Sequence, residues 1–312
     1  MTGQSIIKTF GHCSPIAYDN FKRNGTCISL TLLANIADVI NKSKGKTIIK
    51  ISSNVNDMKQ QLNKFYGTSD ILEWNVADSK LEKKIHALYR PVMPGSWKSN
   101  PREWLSNVDI QNVMSQYSTK YTDFKFLGVF SVDFYTEKIC SFYSICNFNL
   151  FDFLASGKTK LGLIANLDSY YGKGSHWVAI SANFKPKSKQ FGICYYDSGG
   201  STPPEQLKLF ISQIKNDASV FFRDRFDNGK FKLHTNTKDS QKNTFDKKFK
   251  VQSNVKQHQK KNTECGIFSM LFIILCLERQ NLSYNDICNI LHVGSDDFVH
   301  AYRQHLFYDK YA

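Results

Sequence analysis

The stretch HQKKNTECGIFSMLFIILCLERQ, His258–Gln280, decides how the rest of the chain must fold. From Cys265 onward it is apolar on nearly every side, and long enough for a buried helix of about four turns. Its longest unbroken apolar run, Met270–Leu277, falls far short of the ~20 residues that a bilayer span needs. Such a helix has to be enclosed by a protein core. The polar loop before it places Cys265 at the helix N-terminus.

The runs LGLIANLD, HWVAISANF and QFGICYYDS can supply that enclosure. Each is short and rich in branched and aromatic residues, which predicts strands. FKFLGVFSVDFY and FKVQSNV read as two further strands, and KPKSK as a hairpin turn. PREWLSNVDIQNVMSQYSTKY predicts a helix with Trp104, Leu105, Val108 and Val113 as apolar positions. PPEQLKLFISQIKND predicts another, with Pro203 and Pro204 in its entry turn. Two more helices are expected around SYNDICNIL and SDDFVHAYRQHLF. The expected class is α+β, a central mixed sheet packed on a buried helix that begins at Cys265.

The first ninety or so residues read differently. CISLTLLANIADVINKSKG sets Ile28, Leu32, Ile36, Val39 and Ile40 on one helical face, with Gly45 as a stop. A short extended piece, TIIKI, leads to a second helix capped by Asn54 or Asn56, carrying Met58, Leu62 and Phe65 and ended by Gly67. The stretch with Pro91, Pro94, Gly95 and Pro101 reads as a linker. The expected division is a helical extension over 1–95 and a catalytic domain over 96–312.

Across its 312 residues the chain is 41% hydrophobic and 22% charged, which excludes collagen-like, low-complexity and wholly disordered classes. The N-terminus lacks the basic-then-apolar pattern of a signal peptide, so a non-secreted protein is expected. Lys+Arg 41 against Asp+Glu 27 leaves +14. A surplus of that size favours polyanions and supports non-specific DNA as a partner, although a solvated lysine-rich surface accounts for it equally well. Most of the eight cysteines are expected to be reduced, since a chain this long needs no staples. No Cys-x-x-Cys pair is present, so no metal site is expected.

Three places hold reactive side chains against this scaffold: His176 at the start of one strand, Asp197 at the end of the next, and Cys265 at the helix start. Thiol-based acyl transfer needs a thiolate, and a helix N-terminus beside an imidazolium favours one. The imidazole then protonates the leaving amine, and a carboxylate behind it fixes its tautomer. The charge that develops on the carbonyl oxygen needs donors. The Cys265 N–H and the Gln259 side-chain amide are in place for it, and Gly266 lets chain and substrate approach closely. Taken singly, each residue reads as ordinary structure. The order His, Asp, Gln, Cys, with the Cys opening a helix, does not. A papain-type arrangement would put the Cys first.

His176-Trp177, Tyr196-Asp197-Ser198, and Gln259 followed by Cys265-Gly266 resemble the ubiquitin-like-protein (SUMO) proteases and the adenovirus protease. WLSNVDI, from Trp104, looks like the tryptophan–leucine start found upstream of the His in SUMO proteases. HQKKNTECGIFS, SHWVAI, YYDSGGSTPP and YRQHLF are most similar to the polyprotein-processing proteases of African swine fever virus and its large-DNA-virus relatives. Asp197, the SUMO-protease choice, stands where the swine fever enzyme has Asn. The resemblance covers roughly residues 100–312, and TNTKDSQKNTFDKKF departs from it as a surface insertion. It implies a Cys-His-Asp triad cutting after Gly-Gly in viral structural polyproteins during virion maturation, with no metal or organic cofactor. Trp177 and Trp104 would roof the channel that excludes a β-carbon. The virion core and host cytoplasmic assembly sites are the implied locations. Removal of ubiquitin-like modifiers from host proteins is a second reading, and an idle core or DNA-binding protein on a protease fold a third.

Overall fold

The computed structural model describes residues 6–8, 11–134, 144–227 and 245–309, with only the backbone given for 223–227. The chain divides into two compact units, Gly95–Arg303 with Met1–Lys8, and Thr9–Pro94 with Gln304–Ala312.

The smaller unit is helical: α1 (Tyr18–Asn24), α2 (Leu30–Lys44), α3 (Val55–Tyr66) and α4 (Ser79–Ala87). Side-chain oxygens of Ser29, Asn54 and Asp78 cap the last three by accepting first-turn N–H groups, while Gly45 and Gly67 close α2 and α3 in the left-handed region. Its core joins Leu33, Ile36, Ile40, Met58, Leu62, Trp74 and Ile85. Leu33 and Ala37, with Ile36 and Ile40, face that core, so the expected Leu32 and Val39 sit only at its margin. TIIKI enters no strand. Cys13 and Cys27 form a disulfide, contrary to the expectation of reduced thiols; α1 folds back and brings their Cα atoms within 5.2 Å. Cys194, Cys265, Cys276 and Cys288 are free and buried. The segment after Arg303 belongs to this unit through reciprocal bonds of 2.8 Å, Tyr308 N–H to Pro91 O and Met93 N–H to Tyr308 O.

The larger unit is built on a five-stranded sheet, β1 (Phe124–Ser131), β2 (Lys160–Asn166), β3 (Trp177–Asn183), β4 (Gly192–Tyr196) and β5 (Lys250–Ser253), in that spatial order. The β1–β2 and β4–β5 pairs are parallel and the inner pairs antiparallel. Around it lie α5 (Asn107–Lys120), α6 (Leu150–Ala155), α7 (Glu205–Asp227), α8 (Cys265–Glu278), α9 (Tyr284–Val293) and α10 (Asp296–Ala301). Strand alternation sorts the side chains. Val178, Ile180, Ile193 and Tyr195 point to the α7 side, where Leu207, Phe210 and Ile214 cover them. Tyr196, on the opposite face, stacks on Phe272 of α8 at 4.6 Å. The expected α+β architecture is present.

Two boundaries differ from the sequence reading. α5 begins at Asn107, because Ser106 and Asp109 cap it reciprocally. Trp104 and Leu105 therefore precede the helix, Val108 is exposed, and Ile110, Val113, Met114 and Tyr117 form the buried face. α7 runs on to Asp227. Most of the expected insertion lies outside the described residues, although Phe245 and Phe249 at its end join the core.

Directly before Cys265, the fully buried Glu264 accepts from Arg303 Nε at 3.0 Å and pairs with His300 Nδ1 at 2.9 Å and Arg102 Nη1 at 3.5 Å. Removing one partner of a buried pair leaves uncompensated charge. Arg303→Met should cost about 3–5 kcal/mol in chemical denaturation. Adding Glu264→Gln should recover part of that loss, whereas a larger loss in the double variant would contradict the pairing.

Candidate active site

Chain reversal between adjacent antiparallel strands brings the residue before β3 beside the residue after β4. His176 Nε2 lies 2.6 Å from Asp197 Oδ1. Asp197 is 1% exposed. Its carboxylate also accepts the Gly199 N–H at 2.7 Å and the Ser201 N–H at 3.2 Å. The Asn254 amide brackets its backbone, accepting from Asp197 N at 2.8 Å and donating to Asp197 O at 2.6 Å. Burial alone would raise the Asp197 pKa, but the bonds from His176 and Gly199 outweigh it and hold the carboxyl below its usual value.

Cys265 opens α8 beside His176, near enough for its sulfur to act on the imidazole. Asp197 occupies Nε2, which leaves Nδ1 as the ring nitrogen that can serve the thiol. Burial is the largest influence on the imidazole and would lower its pKa. The bonds to Asp197 and Cys265, with the charges of both, reverse this and raise it to about 9. The ring is thus held as a cation between a carboxylate and a sulfur that sits at the positive end of a helix.

Gln259 lies on the loop entering α8 and is 4% exposed. Its Oε1 accepts from the Ser198 hydroxyl at 2.8 Å. The main-chain N–H groups of His258 and Gln259 donate to Ser198 O at 2.8 and 2.9 Å. Asp296 accepts from Lys260 N at 2.9 Å and from Lys261 N at 3.3 Å, fixing the same loop from its other side. His258 Nδ1 meets Tyr196 Oη at 2.8 Å. Burial, then the charges of His292 and Lys256, push the His258 ring down to about 4, so it stays neutral.

Trp177 is buried and its Nε1–H donates to Leu105 O at 3.0 Å. Gly266 lies against this pair. A Cβ there would stand 2.8 Å from Leu105 Cδ1 and 3.2 Å from Trp177 Cδ1. The glycine after the cysteine therefore makes room for Leu105 and Trp177, the close approach of chain that the sequence reading expected of it. Trp104 is 42% exposed and, with Trp177, Ser131, Asn166, Asp168 and Tyr170, lines a cleft of about 380 Å³. Sequence reasoning missed Ser198, Asn254 and the Glu264–Arg303 pair. Only Ser198, adjacent to Asp197, carried a local signal. Among the described residues no group of three or more His, Cys, Asp or Glu could hold a metal ion, and no helix is long and apolar enough to cross a membrane.

A helix-borne thiol beside an imidazole that is backed by a carboxylate is a cysteine-peptidase arrangement, and residues 88–311 match the family described as the vaccinia virus I7 processing peptidase. The chain belongs to that family. It is a cysteine peptidase. A thiol protease of Acanthamoeba polyphaga mimivirus is 26% identical over 288 residues, covering 85% of this chain and 84% of the relative. A SUMO-1 cysteine protease of African swine fever virus is 23% identical over 73% of this chain and 74% of its own. A vaccinia virus core protease is 26% identical over 70% of this chain and 53% of its own. A crystal structure of the African swine fever virus protease superposes with a TM-score of 0.60 at 18% identity, covering 97% of this chain and 98% of that one. The peptidase shares that fold.

The pair has a pH signature. The folded-state value of His176, about 9, lies above the ordinary ~6.5. Its contribution to stability is therefore full below about pH 6.5 and is lost as the pH rises through about 9. Titrating the His176 ring by NMR should give an apparent value near 9. Asp197→Asn should lower it, because burial then acts with less opposition. An unchanged titration would mean that the carboxylate does not hold the proton.

Proposed function

We propose that this peptidase hydrolyses peptide bonds after Gly-Gly, using Cys265 as nucleophile, His176 as acid and base, and Asp197 as the group that orients the imidazole. What supports this above all is His176, bonded to Asp197 and shifted upward by the Cys265 sulfur beside it. The Cys265 sulfur attacks the carbonyl carbon, and the charge that develops on the oxygen is met by the Cys265 N–H and Gln259 Nε2. His176 gives its proton to the leaving amine as the C–N bond breaks. It then takes a proton from the water that hydrolyses the thioester, which restores the thiol–imidazole pair.

The preference for glycine rests on Trp177 and Trp104 beside the cleft. Two flat rings lining the cleft would leave little room for a β-carbon on the residues before the scissile bond. The substrate class we favour is a viral structural precursor cut during virion maturation, in the virion core and at cytoplasmic assembly sites. The core-protease name of the vaccinia relative supports that choice. The SUMO-1 protease name of the swine fever relative favours a second reading, removal of a ubiquitin-like modifier. Incubation with a Gly-Gly-X peptide from a precursor, and separately with a folded modifier bearing a C-terminal reporter, decides between them. Cleavage of only the modifier would reverse the ranking. Cys265→Ala should abolish both activities. Gln259→Ala should lower kcat by roughly 10²–10³-fold with little change in KM, and Asp197→Asn should be milder than Asp197→Ala.

The charge of +14 supports a further part of the proposal, weak and sequence-independent contact with DNA. Lys42, Lys44, Lys46, Lys50 and Lys64 of the smaller unit are exposed, and Lys59 is half-buried. Because Tyr308 pairs with residues of this unit, charge reversal is a cleaner test than truncation. Lys42→Glu, Lys44→Glu and Lys46→Glu together should weaken duplex binding and flatten its salt dependence while peptide hydrolysis continues. Unaltered DNA affinity would remove this unit from the contact.

A further inference from the structure

A glutamine side chain can serve an oxyanion only if its nitrogen faces the reaction, yet its amide has nearly the same shape either way round. Something must hold the oxygen. In this peptidase the partner of Gln259 Oε1 is the hydroxyl of Ser198, which donates at 2.8 Å from a residue with no exposed surface. The orientation follows from counting donors and acceptors. With Oε1 toward Ser198, the serine proton has an acceptor and the two amide hydrogens are left for the site. If the amide were reversed, its N–H could still reach Ser198 Oγ. The serine proton would then have no other acceptor among the described residues, and a buried donor would be stranded.

The main chain of the same residue adds to this. Ser198 O accepts both the His258 and Gln259 N–H groups, so one serine fixes the backbone and the side chain of Gln259 together. The neighbouring residues grip the same loop, through Tyr196 Oη on His258 and Asp197 on Asn254. None of these other contacts reaches the Gln259 carboxamide.

We propose that Ser198 is a positioning residue of the oxyanion hole, acting only through Gln259 by holding its carboxamide with Nε2–H toward the substrate carbonyl. This rests on the reading of Gln259 as an oxyanion donor given above. Loss of one neutral hydrogen bond that sets an orientation should lower kcat roughly tenfold in Ser198→Ala, with KM unchanged.

A double-mutant cycle on the full chain, assayed with the Gly-Gly-X peptide, tests it. Ser198→Ala should cause no further loss in the Gln259→Ala background, because the group it positions is gone. The His176 titration near 9 should stay in place in Ser198→Ala, since that value depends on Asp197 and Cys265. Losses that multiply, an effect confined to KM, or a shifted His176 titration would each overturn the proposal and leave the role of Gln259 standing. Wild-type kcat in Gln259→Ala alone would instead remove the oxyanion reading, and this proposal with it.

Discussion

A helix that is apolar on every side is enclosed by burial but not registered by it. Every residue of α8 from Cys265 to Leu277 is buried, so rotating the helix by one residue would exchange one apolar surface for another. Polar pins supply the register. Ser269 donates to Trp177 O at 3.1 Å, deep in the contact with β3. At the N-terminus, Glu264 is seized by Arg303 and His300. Between them, Gly266 fits under the Leu105–Trp177 pair, where any other residue would collide. These constraints follow one another closely along the chain, and Cys265 sits inside them. The sulfur's position is set by hydrogen bonds that hydrophobicity could not replace.

The other half of the site depends on the turn after β4. Tyr196, Asp197 and Ser198 are consecutive, and each bonds to a different residue of the loop that runs from Asn254 to Gln259. A strand end and a loop stitched at three successive positions have little freedom to slide. Asp197, which faces the imidazole, and Gln259 are thereby fixed by one local structure. Its buried polar atoms are satisfied by one another, which is the condition under which a polar network rigidifies a core. Asp197 illustrates the balance. Burial works against its charge, and the donors from His176, Gly199 and Ser201 prevail.

What was legible in the sequence follows from range. The inner strands show as unbroken apolar runs because both their faces are covered, and α8 shows for the same reason. His176, Asp197 and Cys265 stood out in the sequence because each is at the edge of such a run, where chemistry and composition change together, and Gln259 because it lies on the polar loop entering α8. α4 escaped notice because only Leu81 and Ile85 of its nine residues are buried and the rest is mostly charged or polar. The start of α5 was misread because Trp104 and Leu105 continue its apolar pattern, while the cap that begins it is the polar Ser106–Asp109 pair. The Glu264–Arg303 pair spans 39 positions and has no periodicity to betray it. The Cys13–Cys27 disulfide depends on how α1 folds back, which spacing alone does not determine.

The two tryptophans beside the cleft are held differently, and the difference bears on binding. Trp177 has its indole N–H committed to Leu105 O and its ring edge lodged against Gly266, so its rotamer is settled before any substrate arrives. Trp104 lies in an extended entry to α5 with 42% of its surface exposed. On the proposed role of these rings, a substrate entering the cleft would meet one wall already in place and another that it must cover. Ordering a large side chain on binding costs roughly 0.5–1.5 kcal/mol, and covering an aromatic face gives more than that in return. On the proposed Gly-Gly preference, a flat glycine backbone would let both rings close on it, whereas a β-carbon would prop the exposed ring away and forfeit the buried area. Discrimination would then come from the area that Trp104 recovers, with the rigid Trp177 serving as the surface against which the fit is judged.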